Sequence, residues 1–287
     1  MPGAAVLLCA LAPPLGAQES PYFVTYDHHL EEPGSLEVEY FSTFGTQRGG
    51  NAFIAPWLEL EYGATAWWTT EIYLDSQATL HDSTVFTGFR WENRFRILAD
   101  EHRVNPVLYV EYENITGADK ILKEIEGNDV ASDFLEPNGS AGRYTNHELE
   151  TKLILSSDWK GWNFAVNPLF VKNLGANDPW EFGYAAGVSR PLALEASPRR
   201  CMFCRENFIA GVEMYGGLGT AGSFGLPSTS HYLAPVLAWN LPSGWTVHAS
   251  AGVGLNVDSH GLLVRWGLSR EFSGFGHMLS AMFGGKP

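Results

Sequence analysis

Ser35-Leu36-Glu37-Val38-Glu39-Tyr40-Phe41-Ser42-Thr43-Phe44 is the stretch whose period decides the fold. Leu36, Val38 and Tyr40 alternate with Glu37 and Glu39. Successive side chains of a strand point to opposite faces, so an extended chain puts the apolar set on one side and the carboxylates on the other. The pattern recurs along the first half. Leu58, Leu60 and Tyr62 oppose Glu59 and Glu61; Thr70, Ile72 and Leu74 oppose Glu71, Tyr73 and Asp75; Val85, Phe89 and Trp91 oppose Arg90, Glu92 and Arg94. Leu108, Val110 and Tyr112 then oppose Glu111 and Glu113, and Leu149, Leu153 and Leu155 oppose Glu148, Glu150 and Lys152.

The second half keeps the period with milder polar partners. Trp162, Phe164, Val166 and Phe170 face away from Asn163 and Asn167, and Trp180, Phe182, Tyr184 and Val188 from Glu181, Gly183 and Gly187. Phe208–Leu218, Tyr232–Trp239, Trp245–Leu255 and Leu262–Phe272 continue it, with Glu213, Thr246, His248, Ser250, Gly252, Gly254 and Arg265 on the polar side. About twelve antiparallel strands of roughly ten residues result, the length that crosses a bilayer at a tilt. The fold class expected is all-β, a single transmembrane β-barrel.

A soluble antiparallel sandwich also alternates, and three features favour the membrane. Aromatic residues are 13% of the chain, and Tyr62, Trp67, Trp68, Trp91, Tyr112, Trp162, Trp180 and Trp245 are expected near strand ends, where an interfacial belt forms. With the first strand rising from the periplasm, the inward connections are Gly63-Ala64, Ile97–Val104, Ser157–Gly161, Ala193–Asn207 and Pro242–Gly244, whereas Asn114–Asn146 and Leu218–His231 form long outward loops. Short inner turns and longer outer loops characterise outer-membrane barrels; Ala193–Asn207 departs from that trend.

The start of the chain is the third feature. Ala4–Leu15 is apolar and leads into Leu15-Gly16-Ala17, a small-residue cleavage pattern, so residues 1–17 read as a signal peptide. No segment is apolar for the ~18 residues of a membrane helix, and Val6-Leu7-Leu8 before Cys9 lacks the small residues of a lipoprotein anchor. Residues 18–34 are expected as an N-terminal periplasmic segment, 35–272 as the barrel and 273–287 as a tail. Pro56, Pro168 and Pro235 each lack a ladder donor and are expected near strand ends or bulges.

A formal charge of −14 argues against nucleic acid as a partner, since phosphate binding needs clustered Lys and Arg. The acidity lies on the strands. Glu37, Glu39, Glu59, Glu61, Glu71, Asp75, Glu92, Glu111, Glu113, Glu148 and Glu150 share the polar faces with Arg90, Arg94, Lys152 and Arg265, and closure of the sheet sends them all into one lumen. Rings of Asp and Glu select cations, so such a lumen suits a cation passage or a site for a basic or polyhydroxyl solute. A filled, salt-bridged interior that conducts nothing is the competing reading. Gly183, Gly187, Gly211, Gly252 and Gly254 leave room opposite the acidic wall for a solute or for the chain's own loop. Within Asn114–Asn146, Asp119–Gly127 reads as a short amphipathic helix whose Lys120 and Lys123 could answer the carboxylates; the loop as a whole is expected outside and solvated.

Cys201-Met202-Phe203-Cys204 lies between Arg199-Arg200 and Arg205. A covalent haem site would need His where Arg205 stands, and a second cysteine pair for zinc is absent. In an oxidising compartment the pair reads as a disulfide pinning a turn, a place for a periplasmic partner to dock, with redox exchange or metal capture, favoured by the basic neighbours, as the alternative. Asp27-His28-His29 with Glu31-Glu32 offers imidazole and carboxylate but reads as a solvated turn before the first strand, and no metal is assigned. Ser230-His231 and His147-Glu148 invite a hydrolase reading that requires a serine beside one of those histidines. No catalytic residue and no cofactor are assigned.

The blocks Pro21–Tyr26, Leu60–Ala64, Phe89–Phe95, Asn105–Tyr112, Trp180–Tyr184 and Ser197–Cys201 resemble a family of uncharacterised exported Gram-negative outer-membrane barrels. In general style the chain is also similar to barrels encoded beside aromatic-compound degradation genes. The resemblance implies an outer-membrane barrel in contact with lipid that passes a small solute, and it carries over no catalytic residue. The function expected is a channel or transporter for a small polar or cationic solute. The alternatives are a non-conducting docking barrel, a barrel-embedded hydrolase and a secreted glycan-binding sandwich.

Overall fold

The computed structural model describes residues 20–122, 135–198, 201–226 and 228–282. The expected signal peptide, and Asp119–Gly127 beyond Leu122, lie outside the described residues.

Twelve strands form the wall: β1 (Leu36–Thr46), β2 (Phe53–Thr65), β3 (Trp68–Thr79), β4 (Thr84–Arg96), β5 (Asn105–Thr116), β6 (Thr145–Trp159), β7 (Trp162–Asn173), β8 (Glu181–Pro191), β9 (Phe208–Thr220), β11 (His231–Asn240), β12 (Thr246–Gly254) and β13 (Leu262–Phe272). A two-residue β10 (Ser223–Phe224) folds back on β9. Every pairing is antiparallel, and β13 on β1 together with β8 on β9 closes the sheet. No described helix is long and apolar enough to cross a membrane.

The alternation becomes two surfaces. Leu58, Leu60, Ile72, Leu74, Phe89, Trp91, Leu108, Val166, Phe170, Val212, Leu233 and Trp266 are exposed outside, while the glutamates between them are buried. An exposed apolar girdle of this extent is covered in a membrane barrel by lipid. Trp67, Trp162 and Trp245 lie at the end with short turns, and Trp180 at the end with longer loops. Trp91 and Tyr112, expected in a belt, instead pair with each other in mid-wall.

Two further expectations are corrected. The β3–β4 register shifts between Asp75 and Ser76, beside Gly88 with φ of 150°. Val85 therefore sits opposite buried Gln77, and Phe86 takes the outer position, because the side chains on the two sides of a bulge alternate out of step. Pro56, Pro168 and Pro235 occupy strand interiors, not ends or bulges. The β2–β3, β6–β7 and β11–β12 registers each stay unshifted across the proline, but pairing lapses there on one flank, as a missing donor dictates.

The interior is filled from both ends. The N-terminal segment does not stay ahead of the barrel: residues 20–28 run inside it, with Val24 in a buried cluster with Phe53, Ala55, Ala185, Tyr215, Tyr232, Ala234 and Leu263, and residues 29–34 lie at its short-turn end. From the loop end, Ala118, Asp119 and Lys120 are buried and Ile121 packs on that same cluster. This stretch is therefore folded in, not solvated, and residues 119–122 are not helical. Among the described residues there are also two short helices, α1 (Asn138–Ala141) in the long loop and α2 (Phe275–Met282) after β13.

Candidate functional site: the acidic lumen and its occupant

Pairing register turns scattered glutamates into a row. Glu37 faces Glu61 across β1–β2, Glu61 faces Glu71, Glu71 faces Glu92, Glu92 faces Glu111, and Glu111 faces Glu150. One carboxylate from each of six successive strands thus lies along one line of the wall. Glu271 on β13, opposite Glu37, extends the row and was not foreseen. On β7 the row ends at apolar Val171. A second, shorter row pairs Glu39 with Glu59, and Glu113 with Glu148.

Directly opposed like charges destabilise a sheet unless something intervenes. Three cations do so. Arg94 reaches Glu61 at 2.5 Å and Glu92 at 3.1 Å, and also bonds Glu71. Arg90 grips Asp75 through two nitrogens at 3.0 and 3.2 Å and approaches Glu111 at 3.5 Å. Lys152 meets Glu150 at 2.7 Å. Tyrosines supply further donors: Tyr73 to Glu71 and Glu92 at 2.6 and 2.8 Å, Tyr109 to Glu111 at 3.0 Å, and Tyr26 to Glu92 at 3.0 Å. Rings also cover the cations, with Arg90 3.9 Å from the Tyr73 centroid and Lys152 4.2 Å from that of Tyr109. Arg265 stands on β13, where it donates to the Tyr215 hydroxyl at 2.8 Å.

The segment in the lumen is bound by its backbone. An extended chain with no strand beside it needs acceptors for its amides, and Glu213 provides them to Phe23, Val24 and Thr25 at 3.4, 3.0 and 3.0 Å. Asn167 clamps Tyr26 from both sides, accepting from its N–H at 2.7 Å and donating to its carbonyl at 3.0 Å. The His28 amide donates to the Ser156 hydroxyl at 2.8 Å. A Cβ on Gly187 would stand 2.5 Å from the Tyr22 ring, so Tyr22 occupies room on the glycine wall. Glu213 and Asn167 were legible as inward polar residues, but nothing local in the sequence signalled their partner.

Space remains beside this segment. A cavity of ≈ 200 Å³ is lined by Glu37, Glu59, Glu61, Arg94 and His248 together with Phe23 and Tyr26 of the segment. A smaller one of ≈ 70 Å³ lies where Val24 approaches Ile121, with Asp75, Arg90, Glu111 and Arg265 around it.

Outside the wall strands, burial raises the Tyr26 phenol well above its ordinary value, and the surrounding glutamates add to the effect, so it stays a neutral donor. His28 is 2% exposed, not a solvated turn. Desolvation lowers its pKa, while a hydrogen bond to Asp158 pushes His29 up to about 9. Cys201 and Cys204 are joined by a disulfide, and Phe203 between them stacks on Trp239 with centroids 4.9 Å apart. The histidines of the hydrolase reading have other partners. His231 lies 3.1 Å from the Tyr184 hydroxyl and 3.0 Å from that of Thr229, and His147 2.8 Å from that of Tyr112. Among the described residues neither ring meets a serine hydroxyl.

No family model matches the chain, and no curated protein matches it. Among solved structures it is similar to an outer-membrane channel from Pseudomonas putida F1, at 10% identity and a TM-score of 0.52, over 85% of this chain and 97% of that one. The NanC porin matches at 12% identity and a TM-score of 0.49, over 82% of this chain and 98% of that one. The likeness is one of fold, a closed outer-membrane-type β-barrel.

Proposed function

We propose that this chain is an outer-membrane channel for a small cationic or polar solute, closed in the described state by residues 20–34 and 118–122. The observation that carries the reading is the row of carboxylates on β1 to β6, beside a cavity of ≈ 200 Å³ that the segment borders. More carboxylates than cations line that wall, so a further positive charge entering the cavity is favoured. The apolar outer girdle supports the membrane location, and the fold shared with the P. putida channel supports conduction. Under this reading the short-turn end faces the periplasm.

Closure by the chain's own N-terminal segment also suits a second reading, a barrel that never conducts and serves for docking. Planar-bilayer recording of the refolded protein under a salt gradient separates the two. Cation-selective steps whose reversal potential shifts toward zero in Glu37→Gln, Glu59→Gln and Glu111→Gln are expected. Silence both from the folded wild type and from a variant whose segment has been released overturns the channel.

A further inference from the structure

Where the N-terminal segment leaves the lumen, His28 and His29 meet Asp158, the penultimate residue of β6. One donor atom from each lies within 4.8 Å of the others. Asp158 Oδ2 is 3.0 Å from His29 Nε2 and 3.9 Å from His28 Nε2. Zinc bonds of ~2.0–2.1 Å place tetrahedral ligands about 3.3–3.4 Å apart, a value between those two separations. The two histidine nitrogens lie within 4.8 Å of each other, so modest turns of the two rings bring the set toward that spacing.

The surroundings are organised as metal sites are. Ligating imidazoles are usually oriented through their second nitrogen, and ligating carboxylates are themselves hydrogen-bonded. His28 Nδ1 lies 2.5 Å from the Ser156 hydroxyl, which turns Nε2 toward Asp158. Asn163 donates to Asp158 Oδ1 at 2.7 Å, leaving Oδ2 for the histidines. Asp27 accepts the His29 amide at 2.9 Å and fixes the backbone between the two rings. His28 Nε2 is a buried nitrogen without a hydrogen-bond partner, and buried polar atoms of this kind call for an explanation such as an ion. It lies on the cluster side of the ring, 3.9 Å from Asp158 Oδ2.

We propose that His28, His29 and Asp158 form a binding site for a zinc-class divalent cation that clasps the lumenal segment to the turn between β6 and β7. Once the ion displaces the proton that His29 shares with Asp158, two imidazoles and one carboxylate are a donor set of borderline softness, which suits Zn²⁺ and not Mg²⁺ or Ca²⁺. A fourth position, facing solvent beside the half-exposed His29 and Asp158, takes water. The site joins positions about 130 residues apart in sequence, so the ion bridges the segment and the wall without touching the acidic row.

The test uses the full mature chain, refolded in detergent with any affinity tag removed, because the chain already holds nine histidines. Zn²⁺ is titrated calorimetrically, and Co²⁺ serves as a spectroscopic probe of low-coordinate N and O ligation. One equivalent is expected to bind, with affinity falling at least ~10-fold in His29→Gln and in Asp158→Asn, both at partly exposed positions where folding is not at risk. Hydrogen exchange in residues 20–34 is expected to slow when Zn²⁺ is added to wild type only. Absence of saturable binding by the folded wild type, or equal binding by the double variant, overturns the site. Binding without slower exchange overturns the clasp.

Discussion

Replacing Glu213 by Ala removes the acceptor of three lumenal amides and is expected to free residues 20–34 while the barrel stays folded. Two of those bonds are 3.0 Å long and the third is 3.4 Å. A hydrogen bond contributes ~0.5–1.5 kcal/mol, or ~1.5–3 kcal/mol where a partner is charged, and a buried amide stripped of its acceptor costs ~1–3 kcal/mol. Water from the adjoining cavity can reach some of these amides, so a loss of ~2–4 kcal/mol in docking is expected. At ~1.4 kcal/mol per decade that multiplies the undocked population about 30- to 700-fold. Hydrogen exchange measured by mass spectrometry on the peptide containing Val24 and Thr25 reads this factor directly, since exchange follows the local opening equilibrium. Whole-barrel unfolding should move little, because losing a buried carboxylate relieves its desolvation and offsets part of the lost bonding. Glu213→Gln keeps one acceptor oxygen and should fall between. Wild-type protection at Val24 and Thr25 in a folded Glu213→Ala protein would refute the assignment of Glu213 as the anchor.

Ile72→Arg tests the lipid face: Ile72 lies mid-strand, 48% exposed and pointing outward. A cation there is expected to destabilise the barrel by ~2–4 kcal/mol in bilayers, measured by denaturant unfolding in liposomes, and a change near zero would show that the face is wet. Acid is expected to loosen the inserted loop through His260, whose Nε2 lies 3.0 Å from the Lys120 carbonyl and whose ring packs by Phe53 and Tyr232. Burial, with a further contribution from the Lys120 ammonium, lowers its pKa to about 4. A histidine with a depressed folded-state value stabilises fully above its unfolded value of ~6.5 and progressively less as pH falls toward 4. That gap of about 2.5 pH units caps the loss at ~3 kcal/mol. Exchange of residues 118–122, corrected for the intrinsic pH dependence, should accelerate across that window in wild type and stay flat in His260→Gln.

Period-two alternation determined the barrel. Leu36 to Tyr40 against Glu37 and Glu39 has one strand reading with two different faces, and repeating it around a closed sheet leaves carboxylates nowhere to go but inward. Inward placement of Glu37, Glu59, Glu61, Glu71, Glu92, Glu111 and Glu150, with Arg90, Arg94 and Lys152 beside them, was therefore readable from local pattern alone. Register was not. Whether Glu61 stands opposite Glu71 depends on the β2–β3 turn and the register shift between Gly63 and Thr65, and whether Glu71 stands opposite Glu92 depends on the bulge beside Gly88, so only the folded sheet shows the carboxylates as a row and adds Glu271 to it. The occupant of the lumen was equally hidden, because Pro21 to Gly34 has neither strand nor helix period. Its conformation comes from Glu213, Asn167 and Ser156, between 128 and 190 residues away. Local sequence sets which way a side chain points, but contacts that distant in the chain exist only once the barrel has closed around them.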